Sequence, residues 1–224
     1  AFHGEDVWVA DELRGISRLV DGDLEDPEWV TIELPEWDRD DRTLGKSFLL
    51  VDSRGGLWTS GRMNSNDGDL LAYYDGSTWQ EYPLDAYEEV HLSAMALAPD
   101  DSLWIGFRND LGMDSARVET IYEYHFLRYD GDLWQSIGTD ETLPEERVSQ
   151  ILFAQDGSIW VAYLYHGVVR FDASLETWEA FNTSNVFVSS DTVYDMFFDD
   201  AGALWITLGD GYARYGPPLA EATE

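Results

Sequence analysis

The 224-residue chain has no cysteine and a single lysine, Lys46, beside twelve arginines. The first absence excludes disulfides, thiolate metal sites and cysteine nucleophiles together. It leaves the cellular compartment open. Positive charge of any kind is scarce: 13 basic residues stand against 45 acidic ones, a formal net charge of −32 with a pI of about 4.1. A polyanion of this density repels phosphate backbones and anionic lipid surfaces, which bind through clustered Lys and Arg that displace counterions. Nucleic acid is therefore excluded as an expected partner. Long hydrophobic runs are missing too: no stretch approaches the roughly 18 apolar residues of a membrane span, so direct membrane insertion is not expected. The chain starts with Ala1 and shows no basic, apolar leader, as expected of a mature or excised piece.

What is present is aromatic and acidic. The chain is 44% apolar and 14% aromatic, enough large side chains to build a core despite the charge. Asp outnumbers Glu by 27 to 18. Dense carboxylates with almost no lysine keep a surface hydrated at high salt. GC-rich coding also accounts for Arg replacing Lys, and both readings stay open.

The chain repeats itself. Trp8, Trp58, Trp104, Trp160 and Trp205 recur at gaps of 50, 46, 56 and 45 residues. Each sits in a β-prone run such as Leu103-Trp104-Ile105-Gly106 or Ile159-Trp160-Val161-Ala162. Ahead of four of them lies another largely apolar run (47–51, 93–97, 149–153 and 194–198), joined by a tight Gly/Asp/Pro turn such as Gln155-Asp156-Gly157. A third run follows, as in Val168-Val169-Arg170-Phe171, and a fourth lies around Trp29, Trp79, Trp134 and Trp178. The unit is four short antiparallel strands. Units of about 40 to 45 residues of this kind are the signature of propeller blades, which stack around an axis and bury their apolar faces against one another. The tryptophans accordingly read as packing between blades.

At these residues the chain resembles the two-component regulator propeller repeats, whose pattern is Asp-x-x-Gly-x-Leu-Trp-Ile-Gly, then Gly-Leu-x-Arg-Tyr-Asp, then a Trp-containing strand. The best copy is Asp156-Gly157-Ser158-Ile159-Trp160-Val161, Gly167-Val168-Val169-Arg170-Phe171-Asp172 and Trp178. Two departures stand out: Tyr73 replaces the third-strand Arg in one copy, and the Gly closing Trp-Ile-Gly survives only as Gly106. The resemblance covers residues 2–216 and implies an all-β propeller with a role like the sensory region of a membrane receptor.

The expected organisation is one propeller domain over 1–216, with repeats at 1–45, 46–91, 92–147, 148–192 and 193–216, and an acidic tail at 217–224. Three blades are expected to be complete and the first and last to have about three strands, the first lacking its innermost strand. That makes a five-bladed ring with two thinned blades or a segment of a larger ring.

With strands running outward from the axis, one face of the propeller carries tight turns and the other carries long excursions, among them 61–69, 106–124, 138–147 and 163–166. Binding residues concentrate on long loops over a rigid scaffold, so the second face is the expected binding face. Its candidates are Arg62, Asn64, Arg108, Asn109, Tyr163, Tyr165 and His166. Arg62 and Arg108 are local cationic spots able to fork a carboxylate, although pairing with neighbouring acids is the plainer role. His125 and His166 are too few for a metal site and read as strand-end caps. The triplets 21–23, 67–69 and 130–132, each Asp-Gly-Asp, lack calcium-loop spacing and read as turns. No cofactor is expected, apart from weak surface association of Ca²⁺ that follows from charge.

Glycosidase chemistry needs two carboxylates about 5 to 9.5 Å apart. At the channel mouth only Glu89, Asp191 and Asp195 are acidic, and serine recurs 11 residues before Trp58, Trp104 and Trp160. A serine without a positioned base is not a nucleophile, so its repetition suggests a structural hydrogen bond. The expectation is a noncatalytic module that binds a protein, small ligand or glycan outside the cytoplasm. The alternatives are a structural or assembly component of an extracellular surface structure, and a propeller-fold glycosidase or lyase.

Overall fold

A computed structural model describes residues 1–3, 6–11, 15–20, 27–33, 48–62, 68–87, 89–113, 120–138, 143–185 and 188–216. The described residues form strands, turns and bends only, in five separate sheets that follow one another along the chain. The first holds β1 (Phe2–His3), β2 (Asp6–Asp11), β3 (Gly15–Val20) and β4 (Glu28–Ile32). The second holds β5 (Leu49–Val51), β6 (Leu57–Arg62), β7 (Asp69–Tyr74) and β8 (Trp79–Glu81). The third holds β9 (Val90–Leu97), β10 (Leu103–Met113), β11 (Thr120–Tyr129) and β12 (Trp134–Ser136). The fourth holds β13 (Val148–Phe153), β14 (Ile159–Tyr163), β15 (Gly167–Phe171) and β16 (Trp178–Phe181). The fifth has three strands: β17 (Val193–Phe198), β18 (Leu204–Leu208) and β19 (Gly211–Tyr215). Every pairing is antiparallel between sequence neighbours, in register across the tight turns, as in Phe153 opposite Ile159 and Phe198 opposite Leu204.

The first sheet corrects the sequence expectation of a missing inner strand. β1 is only two residues long, pairing Phe2 with Val7 and His3 with Asp6, and Ala1 and Trp8 exchange backbone hydrogen bonds of 2.9 and 2.8 Å. Such a short strand shows no alternation to read. The excursion at 106–124 is also not a plain loop. β10 and β11 run on as a long hairpin, with Arg108 opposite Tyr124 and Asp110 opposite Tyr122.

The core is a series of four clusters, each between two successive sheets. Trp8 and Ile16 meet Leu57; Trp58 and Leu71 meet Leu103, Ile105 and Phe107. Trp104 and Phe126 meet Ile159, Val161 and Phe171, and Trp160 and Phe181 meet Leu204, Ile206 and Leu208. The rule is constant: the Trp face of one sheet covers the Leu/Ile face of the next. Period-two alternation along the second strand of each sheet puts Trp on one face and its two neighbours on the other.

Candidate functional site

The motif residues build the scaffold first. In the third sheet the turn residue Asp100 accepts hydrogen bonds from Ser102 (N 3.0 Å, Oγ 2.6 Å) and from Arg128 Nη2 (3.0 Å), while the Arg128 guanidinium lies over the Trp104 ring at 5.9 Å. Asp156, Ser158, Arg170 and Trp160 repeat the arrangement. In the fifth sheet Asp199 takes the indole N–H of Trp205 at 2.9 Å, with Arg214 over that ring. In the first sheet Arg18 covers Trp8 and pairs with Asp6. The Asp, Arg and Trp of the repeat thus form one structural unit at the tight-turn face. Burial raises the carboxyl of Asp100, but its Ser102 and Arg128 partners outweigh this and hold it below its usual range. The Ser158 hydroxyl and amide lower Asp156 in the same way.

The recurring serines are structural too. Ser93 Oγ donates to the carbonyl of Val148 (2.7 Å) in the neighbouring sheet, with the Gly106 carbonyl also in reach at 3.1 Å. Ser149 Oγ donates to Ala162 O at 3.2 Å. Ser47 lies outside the described residues. Gln150 links the inner strands of the fourth and fifth sheets through Asp195 Oδ1 (2.9 Å), Met196 O (2.8 Å) and Met196 N (2.6 Å). Inner strands β5, β9 and β13 flank a cavity of about 720 Å³ whose wall includes Leu50, Ala94, Ala96 and Ile151. Asp101 is the one carboxylate among its described lining residues, and it accepts from Ser53 N (2.9 Å) and Oγ (2.5 Å). Asp191 likewise accepts from Thr183 N and Oγ1.

The opposite face is shaped by the β10–β11 hairpin. Leu111 (38% exposed), Ile121 (47%) and Tyr122 (48%) lie on it in the open. Tyr122 packs edge-on against Tyr124 with centroids 5.5 Å apart, and Arg108 lies over the Tyr122 ring at 5.6 Å. Beside the hairpin is a cavity of about 260 Å³ between the third and fourth sheets, lined by Tyr124, His125, Leu143, Glu145, Glu146 and Tyr163, among others. His125 is stacked among Tyr87 (4.5 Å) and Phe107 (5.1 Å), and burial lowers its pKa against the opposing pull of Glu123.

The sequence candidates separate into distinct environments. Arg108 donates to Asp110 Oδ2 at 3.0 Å, the plainer pairing role. Asn109 and Tyr163, expected as contact residues, are only 4% and 3% exposed. Asn109 accepts from the Glu89 amide at 3.3 Å, and Tyr163 belongs to the core cluster of the third and fourth sheets, where burial raises its phenol. Both have inward positions in strands that extend further than the sequence turn pattern indicated. Tyr165 is 59% exposed, and His166 Nδ1 lies 3.8 Å from Glu146 Oε2. Arg62 ends β6, with its side chain outside the described atoms, and Asn64 lies outside the described residues altogether. Sequence reading missed Tyr122, Tyr124 and Glu146. The alternation Ile121-Tyr122-Glu123-Tyr124-His125 is the signal that marks the strand.

Glu89, His91 and Asp110 gather beneath the hairpin, with ligand atoms within 4.8 Å of one another. His91 Nε2 lies 3.3 Å from Glu89 and 3.4 Å from Asp110. Arg108 already pairs with Asp110, so the group is a linked charge network. At the tight turns, Asp130 Oδ1 accepts from the amides of Asp132 and Leu133, which makes the 130–132 triplet a turn.

Comparison with known proteins adds the fold class. No family model matches the sequence, and no curated protein matches it. Solved structures do. PorZ, an essential bacterial surface component of the type-IX secretion system of Porphyromonas gingivalis, superposes with a TM-score of 0.68 at 15% identity, over 96% of this chain and 31% of PorZ. The extracellular domain of the hybrid two-component system BT4673 from B. thetaiotaomicron gives 0.66 at 10% identity, over 98% of this chain and 27% of that one. A gluconolactonase from Xanthomonas campestris gives 0.55 at 15% identity, over 95% and 69%. The chain is an all-β propeller fold of antiparallel sheets, four of them four-stranded and the fifth three-stranded among the described residues. It spans less than a third of the length of the first two structures. No helix among the described residues is long and apolar enough to cross a membrane.

Proposed function

We propose that the chain is a noncatalytic binding module, active outside the cytoplasm, that takes a protein partner, small ligand or glycan on the face bearing the β10–β11 hairpin. The observation that carries this is the exposed Leu111, Ile121 and Tyr122 beside the 260 Å³ cavity with Glu146 in its wall. Apolar and aromatic surface around a few polar groups is the usual make-up of a recognition site. Tyr165 and His166 extend the rim. The likeness to extracellular domains of two-component systems supports a sensory role and export, and the sequence resemblance to their propeller repeats points the same way. Weak Ca²⁺ association with the acidic surface accompanies this reading. A propeller hydrolase or lyase is the less favoured reading, because the 720 Å³ cavity is walled largely by apolar side chains.

Screening the purified chain on glycan and peptide arrays, followed by calorimetry on the best hit, tests the proposal. Tyr122→Ser and Tyr165→Ser are expected to weaken binding about tenfold or more. Asp132→Ala and Glu176→Ala, on the tight-turn face, are expected to leave it unchanged. Equal losses from both faces overturn the assignment.

A further inference from the structure

The cavity between the third and fourth sheets has charge of one sign in its wall. Its volume of about 260 Å³ lies below the range of about 300–1,000 Å³ that takes drug-sized ligands. A single side chain or a small molecule fits that space; an oligosaccharide does not. Two carboxylates, Glu145 and Glu146, stand in the wall, and neither lysine nor arginine is among the described residues that line it. Arg147 follows them in the chain but is not among those lining residues, and Arg108 is held by Asp110 at 3.0 Å. The one histidine of the wall is His125, whose pKa burial lowers, so it is neutral at about pH 7.5.

Two oxygens facing this space lack donors. The Glu146 side chain is 18% exposed, whereas Glu145 is in the open. Glu146 Oε1 accepts from the Arg147 amide at 2.8 Å. Among the described residues, Oε2 has only His166 Nδ1 near it, at 3.8 Å, beyond hydrogen-bonding distance. Tyr163 ends β14 opposite Val148, is 3% exposed and lines the same cavity. Its hydroxyl makes no hydrogen bond among the described residues. A buried hydroxyl left in this way is costly, and a ligand that donates to it removes the cost. The Tyr124 ring is also in the wall. Burial first, and the charge of Glu146 next, raise its phenol, so the ring lies in the field of that carboxylate. The face of such a ring attracts cations.

We propose that this cavity binds a protonated amine, the ammonium group of a lysine side chain or of a small free amine, with Glu146 Oε2 and the Tyr163 hydroxyl as its acceptors and the Tyr124 ring beside it. An ammonium group carries three donors and no acceptor, which matches two oxygens without donors. The net charge of −32 concentrates cations at the surface and speeds their arrival. The amine is thereby the ligand class of the binding face proposed above, and the choice of this cavity rests on that reading.

Calorimetric titration of the intact chain at about pH 7.5 in about 0.15 M NaCl tests this, with n-butylamine and with the end-blocked peptides Gly-Lys-Gly and Gly-Leu-Gly as probes. The lysine peptide is expected to bind and the leucine peptide not. Butylamine that binds more weakly than the lysine peptide points to a peptide partner, and butylamine that binds at least as tightly points to a small amine. Glu146→Gln, which keeps an acceptor for the Arg147 amide, is expected to weaken binding at least about tenfold. Glu176→Gln, which removes the same charge on the tight-turn face, is expected to leave it unchanged. Tyr163→Phe is expected to weaken binding about threefold or more while the melting temperature holds or rises, because the hydroxyl removed has no partner in the folded chain. Equal losses from Glu146→Gln and Glu176→Gln mark general attraction to a polyanion and overturn the proposal. Equal binding of the lysine and leucine peptides, or no binding of either amine, overturns it too. In each of these cases an array ligand that still depends on Tyr122 and Tyr165 leaves the binding face standing, and a ligand indifferent to both removes the face as well.

Discussion

The second sheet shows how a departure from the repeat is absorbed residue by residue. Tyr73 stands where the other sheets have Arg, and its hydroxyl donates to Asp52 Oδ2 at 2.8 Å, while its ring packs on Trp58 at 4.9 Å. Arg54 supplies the missing cation from the turn, reaching the same oxygen at 2.8 Å. Burial raises the Asp52 carboxyl, but hydrogen bonds from Tyr73, Arg54 and the Gly56 amide outweigh it and hold the carboxyl below its usual range. The Tyr73 phenol is pushed up to about 12, by burial first and then by Asp52. The exchange requires glycine at 56, where Ser102 and Ser158 stand in the next two sheets: a Cβ there would lie 1.9 Å from the Tyr73 hydroxyl. Gly56→Ser is therefore expected to destabilise by about 1–3 kcal/mol, and the added Tyr73→Arg to recover about 1 kcal/mol or more. Urea unfolding of the two single variants and the double variant measures the coupling, and strict additivity contradicts the account.

Within the elements, the second strand of each sheet decides how closely blades approach. Gly106 is the lone survivor of the glycine that closes Trp-Ile-Gly, and a Cβ on it would meet the Val148 Cβ at 2.6 Å. At the same spot Ser93 ties β9 to the Val148 carbonyl. Gly106→Ala is expected to lower stability by about 1–3 kcal/mol through overpacking. Gly211 has nothing within 4 Å of its would-be Cβ, so Gly211→Ala is expected to be near neutral; melting of the two variants side by side checks the contrast. The β10–β11 hairpin obeys different rules, since beyond Arg108 and Tyr124 its exposed residues are no longer held by a blade-to-blade contact. Its alternation is visible in the sequence, yet 106–124 reads as a loop there, because the repeat template ends at Gly106.

Across the whole molecule, two electrostatic effects oppose each other. Asp52, Asp100, Asp156 and Asp199 are all held below their usual range by hydrogen bonds, led by Tyr73 at Asp52, Ser102 at Asp100, Ser158 at Asp156 and the Trp205 indole at Asp199, which outweigh burial. They bind protons more readily in the unfolded chain, so their contribution is full above about pH 4 and is lost as pH falls through their lower folded values. Protonation over the same interval relieves the repulsion of 45 acidic residues, which stabilises the compact state. Salt separates the two. At neutral pH the melting temperature is expected to rise between about 0.1 and 2 M KCl as repulsion is screened, and at the higher salt it is expected to fall from about pH 5 to pH 3. No gain with salt, or a rise on acidification at high salt, contradicts this balance. The sequence by itself determined the repeat, the four-strand unit, the tight turns and the inter-blade role of the tryptophans, because each follows from local alternation and turn chemistry. The recurrence of serine likewise pointed to a hydrogen bond. Only the tertiary structure decided that this bond reaches the next blade at Ser93, that Asn109 and Tyr163 face inward, and that β1 exists. It also decided that Val9 is 43% exposed where Ile105, Val161 and Ile206, at the same position in later sheets, are buried. These depend on which sheet lies against which, and one strand's alternation specifies two faces without saying what covers either.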